Sequence, residues 1–106
     1  MPIFWKDNSS RYLGGNRSFR ALVGLEAAAS LAGRADADLC WTPEQATWLR
    51  ECDRETREAD AERRFFGPLR LADGRSLSAR LVLAPLGGAG GGERMLLGRL
   101  ETAADA

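Results

Sequence analysis

The chain has 106 residues, 44% hydrophobic and 28% charged, with fifteen basic side chains balancing fifteen acidic ones, two cysteines and no histidine. That length buries one core rather than two, and the balanced charge argues against a dedicated nucleic-acid binder, which needs surplus positive charge to displace counterions. The absence of histidine removes the commonest general base, the Ser-His-Asp arrangement and the usual haem ligand. Cys40 and Cys52 lack the spacing and partners of a zinc site and do not make a disulfide scaffold, so the reading is a reduced, cytoplasmic chain. No apolar run approaches the roughly 18 residues of a membrane helix, and the N-terminus shows no signal-peptide pattern.

In chain order, Ile3 to Lys6 and Arg11 to Leu13 read as short strands joined by Asp7-Asn8-Ser9-Ser10. Asn16 is placed as the N-cap of a helix carrying Phe19, Leu22 and Val23, with Gly24 as its stop. Ala27 to Leu31 reads as a short helical turn closed by Gly33, and Asp36 and Asp38 as caps of a single turn. The strongest helix signal is Thr42-Pro43-Glu44-Gln45, a capping box with proline at the first helical position. It predicts an amphipathic helix from Pro43 to about Asp60. The stripe Trp48, Leu49, Cys52, Thr56 and Ala59 faces a sheet, and Asp53–Arg57 and Asp60–Arg64 are ion pairs at four-residue spacing.

From Glu62 the apolar period changes to two. Phe65, Gly67, Leu69 and Leu71 form one face of a strand, and Leu77, Ala79, Leu81 and Leu83 one face of the next. A two-residue Asp73-Gly74 loop would set Leu69 and Leu71 opposite Ser78 and Ser76. A three-residue Ala72-Asp73-Gly74 loop instead pairs Leu69 with Leu77, Gly67 with Ala79 and Phe65 with Leu81, which restores one apolar face. The three-residue loop is therefore the prediction. Pro68 points to an edge position or a bulge. Gly87 to Gly92 reads as a slack hairpin loop, leading to a last strand from Glu93 to about Ala103. Strands, then helices, then strands fit an α+β fold, an antiparallel sheet with helices packed on one face.

Four segments in this order resemble a PAS domain over nearly the whole chain. FWKDNSSRYLGGNRSFRALVG is similar to the opening hairpin and first helix. LAGRADADL resembles the segment often written G-K-T-D-x-D-L, with Arg34 and Ala35 at the Lys and Thr positions. LRLADGRSLSARLVLAPL resembles the central hairpin with its D-G turn. The resemblance implies a five-stranded antiparallel sheet in the order 2-1-5-4-3, with residues 1–106 forming one sensory domain cut from a longer signalling protein. Such modules are attached to output domains such as histidine kinases or cyclic-dinucleotide enzymes, as in two-component systems. Two departures stand out: only Met1-Pro2 precede the first strand, and Thr102-Ala103-Ala104 stands where an Asp-aliphatic-Thr triplet is common.

A PAS-like cavity between sheet and helices would draw its wall from Trp41, Trp48, Cys52, Phe65, Leu81, Leu83 and Leu97, with Arg99 as a candidate partner for an anionic ligand. Filling of a plain core is the competing reading of each apolar residue. Haem is disfavoured without histidine. Covalently bound flavin is disfavoured because ADADLCWTP does not match the G-x-N-C-R-F-L-Q of the flavin-binding branch. Asp36 and Asp38 make a poor metal site, and Gly87 to Gly92 lacks the lysine of a phosphate loop. The expectation is a non-enzymatic sensory module that binds a small ligand or relays a conformational change. It would be able to form a homodimer, with no nucleic-acid partner and no membrane insertion. A ligand-free dimerisation module and a small enzyme using Asp36, Asp38 or Asp53 are the alternatives.

Overall fold

In the computed structural model, residues 1–87 and 94–102 are described. Strands β1 (Ile3–Lys6) and β2 (Tyr12–Gly15) are followed by helices α1 (Arg17–Val23) and α2 (Ala28–Leu31), a 3-10 turn at Asp36–Asp38 and the long helix α3 (Pro43–Ala59). Strands β3 (Arg63–Arg70), β4 (Ser76–Gly87) and β5 (Arg94–Thr102) complete one five-stranded antiparallel sheet in the order β2-β1-β5-β4-β3.

Local chemistry places the elements. Asn16 Oδ1 accepts from the Phe19 backbone N–H and also from that of Ile3, so one side chain caps α1 and anchors β1. Thr42 and Gln45 form the reciprocal capping box of α3 at 3.2 Å each. Gln45 Oε1 also accepts from the Arg70 backbone N–H, which ties the start of α3 to the β3 edge. The β3–β4 hairpin has the three-residue loop: Leu71 N–H donates to Arg75 O, and Leu69 faces Leu77, Gly67 faces Ala79 and Phe65 faces Leu81. Gly74 takes the left-handed conformation that this loop needs, at φ 90°. Pro68 lies on β3, an edge strand, where its missing N–H removes no ladder bond from a central position.

Three local details differ from the sequence expectation. The second strand is Tyr12–Gly15 rather than Arg11–Leu13, because a register shift between Trp5 and Lys6 moves the pairing to Lys6–Tyr12, Trp5–Gly14 and Phe4–Gly15. The long helix ends at Ala59 with Asp60 as its left-handed cap, as expected, but Arg64 belongs to β3, so the expected Asp60–Arg64 spacing spans no helix. Asp36 and Asp38 lie within the 3-10 turn, and Asp38 caps it from inside by accepting from the Ala35 backbone N–H at 2.9 Å, whereas Asp36 points into the core. The predicted loop at Gly87 to Gly92 and the triplet Thr102-Ala103-Ala104 lie mostly outside the described residues.

One face of the sheet carries the core. Phe4, Tyr12, Phe19, Leu31, Trp41, Leu49, Cys52, Leu69, Ala79, Leu81, Leu83 and Leu100 form a buried cluster between sheet and helices. Phe4 brings the tip of its ring against Gly98 of β5, where even a methyl carbon would stand 2.1 Å from Cζ. Phe4, Tyr12 and Phe19 pack ring on ring at centroid separations of 4.8 to 5.5 Å.

A candidate site built on a buried charged cluster

Strand alternation puts Lys6 on the same face as Phe4, pointing beneath the helices. Helical spacing puts Asp53 on the buried stripe of α3, with Leu49, Cys52 and Thr56. The 3-10 turn brings Asp36 to the same point. The Lys6 ammonium donates to Asp36 Oδ2 at 2.6 Å and to Asp53 Oδ2 at 2.9 Å, and all three side chains are at most 1% exposed. Tyr12 donates its hydroxyl to Asp36 Oδ1 at 2.5 Å, and the Lys6 ammonium stands 4.8 Å from the centre of the Tyr12 ring. A polar network therefore crosses the interior from β2 through the 3-10 turn and β1 to α3.

The two carboxylates are held differently. Both oxygens of Asp36 have donors, whereas Asp53 Oδ1 is buried with none. Burial pushes the Asp53 carboxyl above its ordinary range despite the attraction of Lys6, and the Asp36 charge adds to the rise. Burial, then the Asp36 carboxylate, pushes the Tyr12 hydroxyl well above its usual value. Trp41 Nε1 and Arg57 Nε are likewise buried, with no hydrogen bond of good geometry among the described residues. Trp41 stands beside the Tyr12 hydroxyl and Ser10 beside the Asp53 carboxylate, so the polar groups of this region face one another across the interior.

Arg57, expected to pair with Asp53 along the helix, instead donates to Ser10 Oγ and to the Asp7 backbone carbonyl, each at 2.8 Å. The reason is burial: Asp53 is drawn inward to the ammonium, and Arg57 reaches over the β1–β2 turn. Ser10, in a left-handed conformation at φ 61°, brings its hydroxyl toward the Asp53 carboxylate.

The residues predicted to line an interior wall divide between the two sides of the sheet. Trp41, Cys52, Leu81 and Leu83 are buried together in the core, with Phe65 and Trp48 packed against it, Trp48 half-buried over Gly67. Burial pushes the Cys52 thiol up to about 12, so it stays protonated and behaves as a small apolar group. Leu97 and Arg99 do not belong to this wall. Leu97 pairs with Trp5, and Arg99 pairs with Ile3 and Val82, on the opposite face of the sheet. There Arg99 donates to Glu101 Oε2 at 3.0 Å. Their displacement follows from Gly98, which takes the inward position because Phe4 needs the space. Lys6, Asp36 and Asp53 were not foreseen as a unit. The usable signals were a lone lysine two residues after Phe4 in a strand and an aspartate on the apolar stripe of α3.

The geometry was compared with known proteins. No family model matches the sequence, and no curated protein matches it either. Among solved structures, a VqmA–ligand–DNA complex from Vibrio cholerae superposes with a TM-score of 0.84 at 21% identity. That match covers 100% of this chain and 48% of VqmA. The PAS-B domain of Drosophila melanogaster Cycle, with bound ethylene glycol, superposes at 0.76 with 10% identity, covering 96% of this chain and 99% of that one. The PAS domain of Bordetella pertussis BvgS does so at 0.73 with 19% identity, covering 98% and 79%. The chain has the PAS fold. It spans about half the length of the VqmA chains that it resembles. At these identities the likeness establishes the architecture, including the strand order, and leaves function to the residues of this chain.

Proposed function

We propose that this PAS-fold chain is a non-enzymatic sensory module whose interior polar cluster couples a small-ligand or charge signal to the position of α3 and the β1–β2 turn. From there the change passes to an attached output domain. The observation that carries the reading is the Lys6–Asp36–Asp53 cluster buried between sheet and helices. Three ionised groups in a core cost more than apolar side chains of similar size would, which is better suited to a responsive element than to stability alone. Charge balance supports leaving any nucleic-acid contact to an attached domain. No described helix is long and apolar enough to cross a membrane, and the proposed location is the cytoplasm. A panel of small polar metabolites tested by native mass spectrometry and thermal shift checks ligand sensing. Retention of a bound mass with a raised melting temperature supports it, and a panel without any binder refutes it.

A second reading rests on the other sheet face. Trp5, Leu86 and Met95 are exposed there near a groove of about 200 Å³ lined by Ile3, Val82, Ala84 and Leu97 together with Glu62 and Arg99. A dimerisation module would use that face. Sedimentation of the wild type against Trp5→Glu tests it: a dimer lost in the variant supports the reading, and a wild-type monomer at high concentration refutes it.

A further inference from the structure

We propose that the signal taken up by the interior cluster is a proton, held on Oδ1 of Asp53. The proposal deepens the sensory reading, on which its regulatory role rests, while proton uptake is itself a property of the folded chain. Lys6 carries one positive charge and Asp36 and Asp53 two negative ones, so the fully ionised cluster holds a net negative charge in a site closed to water. One added proton makes the three groups neutral. Both carboxylates compete for the same ammonium, and the geometry decides which one yields. Asp36 is held by two short donors, Tyr12 at 2.5 Å and Lys6 at 2.6 Å. Asp53 has one ion-pair contact, the longer bond from Lys6 at 2.9 Å, with the neutral Ser10 hydroxyl beside its carboxylate. Oδ1, the oxygen that Lys6 does not hold, is the position at which a proton displaces no ion-pair bond.

Five segments bring polar or charged groups to this balance. Strand β1 presents Lys6, β2 presents Tyr12, the 3-10 turn presents Asp36, and α3 itself presents Cys52 and the Arg57 guanidinium. The β1–β2 turn presents Ser10, whose hydroxyl accepts from Arg57, and Asp7, whose carboxylate is occupied by the backbone N–H groups of Ser9 and Arg11. The third strand beside the ammonium, β5, offers the apolar Leu96. Lys6 is the cation in direct contact with the Asp53 carboxylate, and it is shared. The direction of the Asp53 shift, upward through burial with Asp36 adding to it, agrees with this arrangement.

Protonation changes what Asp53 can do. As a carboxylate it only accepts hydrogen bonds, and the Ser10 hydroxyl beside it is one donor; as an acid its own hydroxyl donates, which reverses the sense of the Ser10 contact. Ser10 is the residue through which Arg57 holds the turn to α3. The proton comes from bulk buffer and leaves to it, and no other bond is made or broken. The consequence is a change in the link between the β1–β2 turn and the C-terminal half of α3.

The test is carbon-13 NMR of the aspartate carboxyls in the whole chain between about pH 4 and 8, against the ordinary aspartate value of about 3.9. The expected result is an Asp53 carboxyl titrating above that value, with the Ser10 and Arg57 signals moving at the same midpoint and losing that response in Asp53→Asn. An Asp53 carboxyl titrating at or below the ordinary value, or Ser10 and Arg57 signals indifferent to its midpoint, overturns the proposal. Should Asp53→Asn fail to fold, the wild-type carboxyl titration decides alone. A metabolite panel without a binder refutes ligand sensing but leaves this titration intact, so the two failures are distinguishable.

Discussion

Replacing Lys6 by Met keeps the length and most of the apolar stem of the side chain while removing the ammonium. What remains is a pair of carboxylates, Asp36 and Asp53, with no cation in contact. The magnitude follows from burial. An exposed ion pair is worth about 0–1 kcal/mol because water replaces the lost partner, but these side chains are 0–1% exposed and water cannot reach them. Removing one member of such a buried pair costs about 3–5 kcal/mol, a large part of the roughly 5–15 kcal/mol that holds a domain folded. The uncompensated charges cause the loss rather than the missing methylenes. The triple variant Lys6→Met/Asp36→Asn/Asp53→Asn should therefore regain most of it. Urea unfolding at neutral pH measures both. A Lys6→Met variant within about 1 kcal/mol of wild type, or a triple variant no more stable than the single one, would refute the reasoning.

Three further outcomes follow from the packing and the titrations. Gly98→Ala drives a methyl group into the Phe4 ring and should cost about 1–3 kcal/mol in urea unfolding, with Phe4→Leu in the same chain relieving part of it. Phe19→Ala, at 0% exposure, should cost about 3–5 kcal/mol, while Trp48→Ala, half-buried over Gly67, should cost clearly less, so equal losses would mean that Trp48 is a core residue after all. For Asp53 the folded-state pKa is raised, so the folded chain binds more protons than the unfolded one above the ordinary carboxylate value. Its contribution to stability is full below that value and is lost as pH rises through the raised one. Asp53→Asn should flatten this part of the stability–pH curve.

The sequence resolved the β3–β4 hairpin to the residue, because one apolar face and one glycine turn admitted only the three-residue loop. Asn16 and the Thr42–Gln45 box were equally legible, since caps are local chemistry. Strand β5 was harder. Met95, Leu96 and Leu97 are apolar on both faces, and the inward position at 98 is a glycine that exists to admit Phe4, so the alternation gave no sign of which side Leu97 and Arg99 occupy. The charged cluster was hidden for a different reason. Its contacts join residues 30 and 47 positions apart, and Asp53 has a plausible local partner in Arg57 that the fold does not use. Long-range pairing of that kind is decided by topology. Only the faces were readable: Lys6 in step with Phe4, and Asp53 in step with Leu49 and Thr56.

Lys6 is the sole lysine of the chain, which makes one signal decisive. Nitrogen-15 NMR of the lysine ammonium at neutral pH and room temperature should show a single resonance whose protons exchange slowly with water and contact Asp36 and Asp53. An ammonium whose protons exchange as fast as those of a solvent-exposed lysine would contradict the buried cluster, and with it the mechanism proposed for this module.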